Sequence, residues 1–217
     1  MGKAKLFVGL IFFVIFATLG FCVAGKIPQA LNVATLPVEK QQNYLIIYVD
    51  SLTQPSPKVV SLWAILISSD TSITSLKAQS LYPSANPQGG LVAQAFALNQ
   101  KGLPSDEFLS IVRSTFSLPL NNYILIDYEG LATLHSLWLG TPPSTIQGNS
   151  DEVLLISQGC EYIRQNKNTP SPGQSWTAII PKHFRTDLAF DDAIQRWNQL
   201  VQAGNKLNCE VFDGLAP

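Results

Sequence analysis

Two carboxylates two positions apart, Asp127 and Glu129, stand where the apolar run "NYILIDY" gives way to "EGLATLHSLWLG". On a strand they would face the same way, the arrangement that paired acid and base chemistry needs. Asp50 ends a second apolar run, "NYLIIYVD", at the place where open α/β sheets hold ligands; the alternative is an Asp that ends a strand and starts a turn. His135 and His183 are far apart and have no metal-ligand spacing, so no metal is expected. Serines are plentiful, yet no G-x-S-x-G occurs and a hydrolase elbow has no support. Cys160 and Cys209 are the cysteines outside the N-terminal apolar run. A disulfide between them suits an exported domain, against the alternative of two buried free thiols.

The elements that must position these residues follow from pattern and punctuation. Residues 43–50 and 59–68 are nearly continuous apolar runs, expected of strands covered on both faces. Residues 72–83 alternate more and suit a strand nearer an edge. A helix is expected over about 91–101, ended by Gly102. A second starts at Ser105, a good N-cap, with Asp106 and Glu107 at the positive end of its dipole. Its apolar residues Phe108, Ile111, Val112 and Phe116 share one helical face. A strand over 122–128, helices over 129–140 and about 151–165, a late strand over 175–180 and a last helix from near Asp187 complete the order. Strands mixed with helices predict a three-layer α/β (α+β) domain, a mixed sheet with helices on both faces.

The ends bound where this domain works. Residues 6–24 carry no charge, and at about 1.5 Å per residue a helix of that length just crosses a hydrocarbon core of about 30 Å. Lys3 and Lys5 before the run and Lys26 after it favour a cytoplasmic N-terminus. A retained single-pass anchor (1–26) is preferred to a cleaved signal peptide, because the run exceeds the usual apolar core of about 7–15 residues. Residues 27–42 read as a linker and 43–217 as one extracytoplasmic domain. From Ile27 onward 11 Lys+Arg face 15 Asp+Glu, a net charge of −4. That surface makes nucleic acid an improbable partner.

The stretch 102–140 resembles the central part of the LytR-CpsA-Psr family of cell-envelope proteins. The resemblance is carried by Leu118-Pro119-Leu120 with Tyr123, by Asp127-Tyr128-Glu129-Gly130, and by Leu139-Gly140. The stretch "LVAQAFALNQKG" is similar to a helix of the family, "NYLIIYVDS" to its first strand, and "EVLLISQGCEYIRQN" to a later helix that places Arg164 at a family arginine. The resemblance implies one N-terminal membrane helix. It also implies transfer of glycopolymers from a polyprenyl-pyrophosphate carrier to peptidoglycan, with arginines and aspartates holding pyrophosphate and magnesium. Guanidinium forks and a hard cation suit that anion.

Most of those residues are replaced here. Asp50-Ser51-Leu52 stands where the family has Asp-Ser-Arg, Val59-Val60-Ser61-Leu62 where it has Arg-Ser-Asp-Thr, and Leu81-Tyr82-Pro83-Ser84 where it has Ile-Pro-Arg-Asp. Of the paired arginines of the later helix only Arg164 remains, with Asn166 at the second; Arg164 is an anion contact or a solvated helix charge. The resemblance also sets Asp127 and Glu129 at a strand-to-helix junction, where Glu129 simply favours the first turn. No catalytic residue is assigned, and Asp50 and Arg164 are kept as binding candidates. The expectation is a non-catalytic, membrane-anchored binding or accessory subunit without a cofactor. Its partners would be the bilayer, other membrane or envelope proteins, and polyprenyl lipid. The competing readings are a lipid-binding module and an active phosphotransferase with magnesium and relocated arginines, for which Arg113, Arg185 and Arg196 are the candidates.

Overall fold

The computed structural model describes residues 41–69, 73–83, 87–139, 149–165 and 181–212, all within one compact unit that starts at Glu39. The apolar run 6–24, most of the linker and the strand expected over 175–180 lie outside the described residues. Among the described residues no helix is long and apolar enough to cross a membrane.

One mixed sheet of six strands organises the domain. β1 (Gln41–Val49) pairs antiparallel with β2 (Val59–Ser69), and β2 antiparallel with β3 (Thr74–Tyr82). β4 (Asn122–Asp127) runs parallel to β1 on its other side, and β5 (Phe184–Thr186) adds antiparallel to β4. β6 (Leu207–Phe212) lies parallel to β3, so the order is β5-β4-β1-β2-β3-β6. The helices are α1 (Pro87–Gln94), α2 (Asp106–Phe116), α3 (Tyr128–Leu139), α4 (Asn149–Gln165) and α5 (Phe190–Ala203).

β1 is apolar almost throughout because both its faces are covered. Leu45, Ile47 and Val49 pack in one core with Phe108, Leu109 and Val112 of α2. On the other face Ile46 joins Trp63, Ala78, Cys160, Ile163 and Trp197, a core built with α4 and α5. Full burial of a side chain such as Phe108 contributes about 1.5–3 kcal/mol. The result is the expected mixed α/β sheet with helices on both faces. Helix α2 begins as its sequence directs: Ser105 Oγ accepts from Phe108 N at 3.2 Å, and the helix ends at Ser117 in the left-handed region (φ 53°).

Four elements differ from expectation, one of them β5, a short strand where none was expected. The helix expected over 91–101 is α1, which ends at Gln94. Asn99 competes with the helix, its Oδ1 accepting from Lys101 N and Leu103 N, while Asn99 N donates to Leu103 O. The last helix starts at Phe190, not near Asp187, whose carboxylate instead accepts from Tyr123 N at 2.9 Å. β6 was not expected at all, and it places Cys209 on a strand. Leu207, Cys209 and Val211 alternate toward the α4 and α5 layer, and the structure joins Cys209 to Cys160 of α4 as a disulfide with Cα atoms 6.5 Å apart.

Candidate functional site at the carboxyl edge of the sheet

Parallel pairing sets Val49 opposite Asp127, so β1 and β4 leave the sheet at the same edge. Asp127 is fully buried there. Its Oδ2 accepts from Leu52 N at 3.0 Å, and its Oδ1 from Gly130 N at 3.0 Å. The second bond spans three residues and caps the start of α3. His183 Nδ1 lies 3.1 Å from Oδ1 and 3.0 Å from Oδ2. An ionised carboxylate only accepts, which keeps the proton on Nδ1 and leaves Nε2 as the second ring nitrogen. Gly130 is required by packing as well, because a Cβ at that position would run into the His183 carbonyl. Asp127 and Gly130 of "DYEG" therefore have a physical account: the acid caps, and the glycine admits the chain entering β5.

Arg185 completes this edge from β5. Its NH1 donates to Gly102 O at 2.7 Å, its NH2 to Leu52 O at 3.2 Å and its Nε to Pro181 O at 3.3 Å. Leu52 is thus held on both sides of its backbone, by Asp127 at the N–H and by Arg185 at the C=O. Its side chain is 4% exposed and belongs to the core shared with α2. Gly102 accommodates the guanidinium by having no Cβ and a positive φ of 71°.

The candidates named from sequence are not brought together. Asp50 Oδ1 accepts from Ser51 N and Lys58 N, both at 2.8 Å, and Asp50 N donates to Lys58 O, closing its own loop. Arg164 is exposed on α4 and pairs with Glu161 at 3.0 Å, on the other helical layer. Arg113 is exposed on α2, and Arg196 lies over the Tyr44 ring at 5.9 Å. Of the three relocated arginines, Arg185 is the one at the carboxyl edge. Glu129 is separated from Asp127 by the strand-to-helix junction, because Asp127 ends β4 and Glu129 lies in the first turn of α3. Trp63 is core, its Nε1 donating to buried Glu152 at 2.6 Å; the side chain of His135 lies outside the described residues.

His183 is the site residue that spacing could not find, since it lies 56 positions from Asp127. Burial, with Glu152, Tyr128 and Asp127 nearby, pushes the Tyr48 phenol up to about 12. Burial also raises Tyr123, helped by Asp187 and Asp106. A magnesium ion, which the transferase reading calls for, does not fit the residues at this edge. Both Asp127 oxygens face N–H donors in a fully buried position, and Asp50 Oδ1 accepts from two N–H groups of its own loop. Among the described residues no cluster of three or more His, Cys, Asp or Glu is arranged to hold a metal.

The same fold is found in solved structures. Bacillus subtilis TagV matches with a TM-score of 0.53 at 8% identity, over 82% of this chain and 88% of that one. The protein yvhJ from Bacillus subtilis, titled a transcriptional regulator, matches with 0.50 at 12% identity, over 82% and 87%. TagT bound to LIIa-WTA matches with 0.50 at 9% identity, over 85% and 83%. TagV and TagT are LytR-CpsA-Psr enzymes, so the domain has a LytR-CpsA-Psr-like fold; identities this low carry the fold and not the activity. No family model matches the sequence, and no curated protein does.

Proposed function

We propose that the chain is a membrane-anchored, extracytoplasmic domain of LytR-CpsA-Psr type that works by binding, as an accessory subunit of an envelope assembly, and not by glycopolymer transfer. The observation that carries this reading is Leu52. It stands where the resembling motif has an arginine, yet its side chain is core and its backbone is held from both sides. A guanidinium cannot reach an anion from that side chain, and the neighbouring Asp127 is occupied by three donors. Groups that could grip a pyrophosphate are thus replaced by groups that tie the 50–58 loop, β5 and the 99–103 turn to the sheet. Purified full-length protein is expected to show no thermal stabilisation by pyrophosphate with magnesium. A clear rise in Tm that required both would refute the binding-only reading.

Arg185 favours a second reading, an active transferase with a relocated arginine. Five N–H groups are available on a guanidinium, and three are engaged with carbonyls. Two remain at the carboxyl edge. In that case Arg185→Lys, measured in protein whose circular dichroism and urea transition show it folded, should abolish the magnesium-dependent stabilisation.

A further inference from the structure

Helix α5 is only half seated on the domain. Trp197, Leu200 and Val201 in its second half pack into the core built with α4, yet none of its residues is buried. Residues of its first turns line a cavity of about 400 Å³, with Ile124, Phe184, Leu188, Phe190 and Ile194 among its walls. Phe190, the first residue of the helix, both lines that cavity and is 54% exposed. An open aromatic ring at the mouth of an apolar cavity is a continuous uncovered apolar surface, the kind that marks a contact.

The same patch carries both signs of charge. Lys101 lines the cavity and is exposed. Arg185, the other cation there, is already committed to three carbonyls. Asp191 and Asp192 follow Phe190 in the first turn of α5, both exposed. Among the described residues Lys101, Asp191 and Asp192 take part in no ion pair. The two acids suit the positive end of the helix dipole, and their carboxylates remain available to a cation from outside. A ring and a cavity, an acid pair and a lysine thus lie side by side. A two-fold axis through such a patch sets each feature against its complement on a second copy, which is what an isologous interface requires.

We propose that this face joins two copies of the chain, the Phe190 ring of each entering the cavity of the other while Asp191 and Asp192 of each face Lys101 of the other. The cavity lies within the roughly 300–1,000 Å³ that holds small ligands, ample for one phenyl ring. A contact of one ring and its flanking charges falls short of the roughly 1,200–2,000 Å² of a stable interface. The dimer is therefore weak between free domains, and tethering both copies in one membrane, as proposed above, raises their effective concentration. The inference names a second copy as one partner of the binding domain, but such a dimer forms whether or not the domain transfers glycopolymer.

The test is photo-cross-linking of the full-length protein in vesicles of phosphatidylethanolamine and phosphatidylglycerol, with p-benzoylphenylalanine in place of Phe190. A dimer-sized adduct is expected, its second end mapping within 184–194 of the other copy. The same group in place of Arg113, exposed on α2, is the control for chance collision. Lys101→Glu should lower the yield about tenfold, because close charge pairs across an interface couple strongly enough to move affinity that far. Asp191→Lys with Asp192→Lys should do the same, and all three changes together should restore it. These positions are exposed, and urea midpoints read in parallel confirm that the variants are folded. No more dimer than in the control, single-sign reversals without effect, or a combined variant that cross-links no better than its parents would each overturn the proposal.

Discussion

Asp127 shows how one side chain can organise an edge of a sheet. It caps α3 through Gly130 N, holds the loop after β1 through Leu52 N, and orients His183 before β5. Removing it strands buried donors at about 1–3 kcal/mol for each that finds no water. Asp127→Ala is therefore expected to lower stability by roughly 2–4 kcal/mol, read as a lower urea midpoint at unchanged slope. An unaltered midpoint would mean that these bonds are replaced without cost. Tyr48 makes a second prediction. Its folded pKa lies above the ordinary 10.0, at about 12. The unfolded chain therefore loses this proton first as pH rises, and the contribution is fully present below pH 10 and lost toward pH 12. Over that window up to roughly 2 kcal/mol should disappear, and Tyr48→Phe should flatten the loss. An identical alkaline profile for the variant would remove Tyr48 from the account.

At the scale of elements, legibility depended on whether the signal was local. β1, β2 and β4 were readable because burial on both faces makes their runs apolar, and α2 because Ser105, Asp106 and Glu107 mark its start. The end of α1 was not, because Asn99 diverts the chain through its own side chain. β6 is short and shows its alternation only once β3 lies beside it. The site was hidden for the same reason: Arg185 and Leu52 are 133 positions apart and only the sheet brings them together. β6 also carries a prediction. The Cys160–Cys209 bond joins α4 to this edge strand. Reduction, or replacing both cysteines by serine, should cost roughly 2–4 kcal/mol in the chain-entropy account. Two alkylated thiols in the unreduced, unfolded protein would show instead that the pair is not bridged in the isolated chain.

For the molecule as a whole, the proposed arrangement is a LytR-CpsA-Psr-like domain held outside the membrane by residues 6–24, with Lys3 and Lys5 on the cytoplasmic side. Protease added to intact spheroplasts should digest the chain beyond about Lys26, and complete protection would reverse the orientation. The central claim is that this frame persists while the transfer chemistry does not. Catalysis on a pyrophosphate carrier is chiefly positioning and charge stabilisation, and at this edge Leu52 faces the core while Asp127 faces its own chain. The most direct measurement is transfer from a polyprenyl-pyrophosphate-linked glycopolymer to peptidoglycan by the purified full-length protein, with and without magnesium. No turnover above the protein-free control is predicted in either condition. Magnesium-dependent transfer that is lost in Arg185→Lys, while that variant stays folded, would contradict the account.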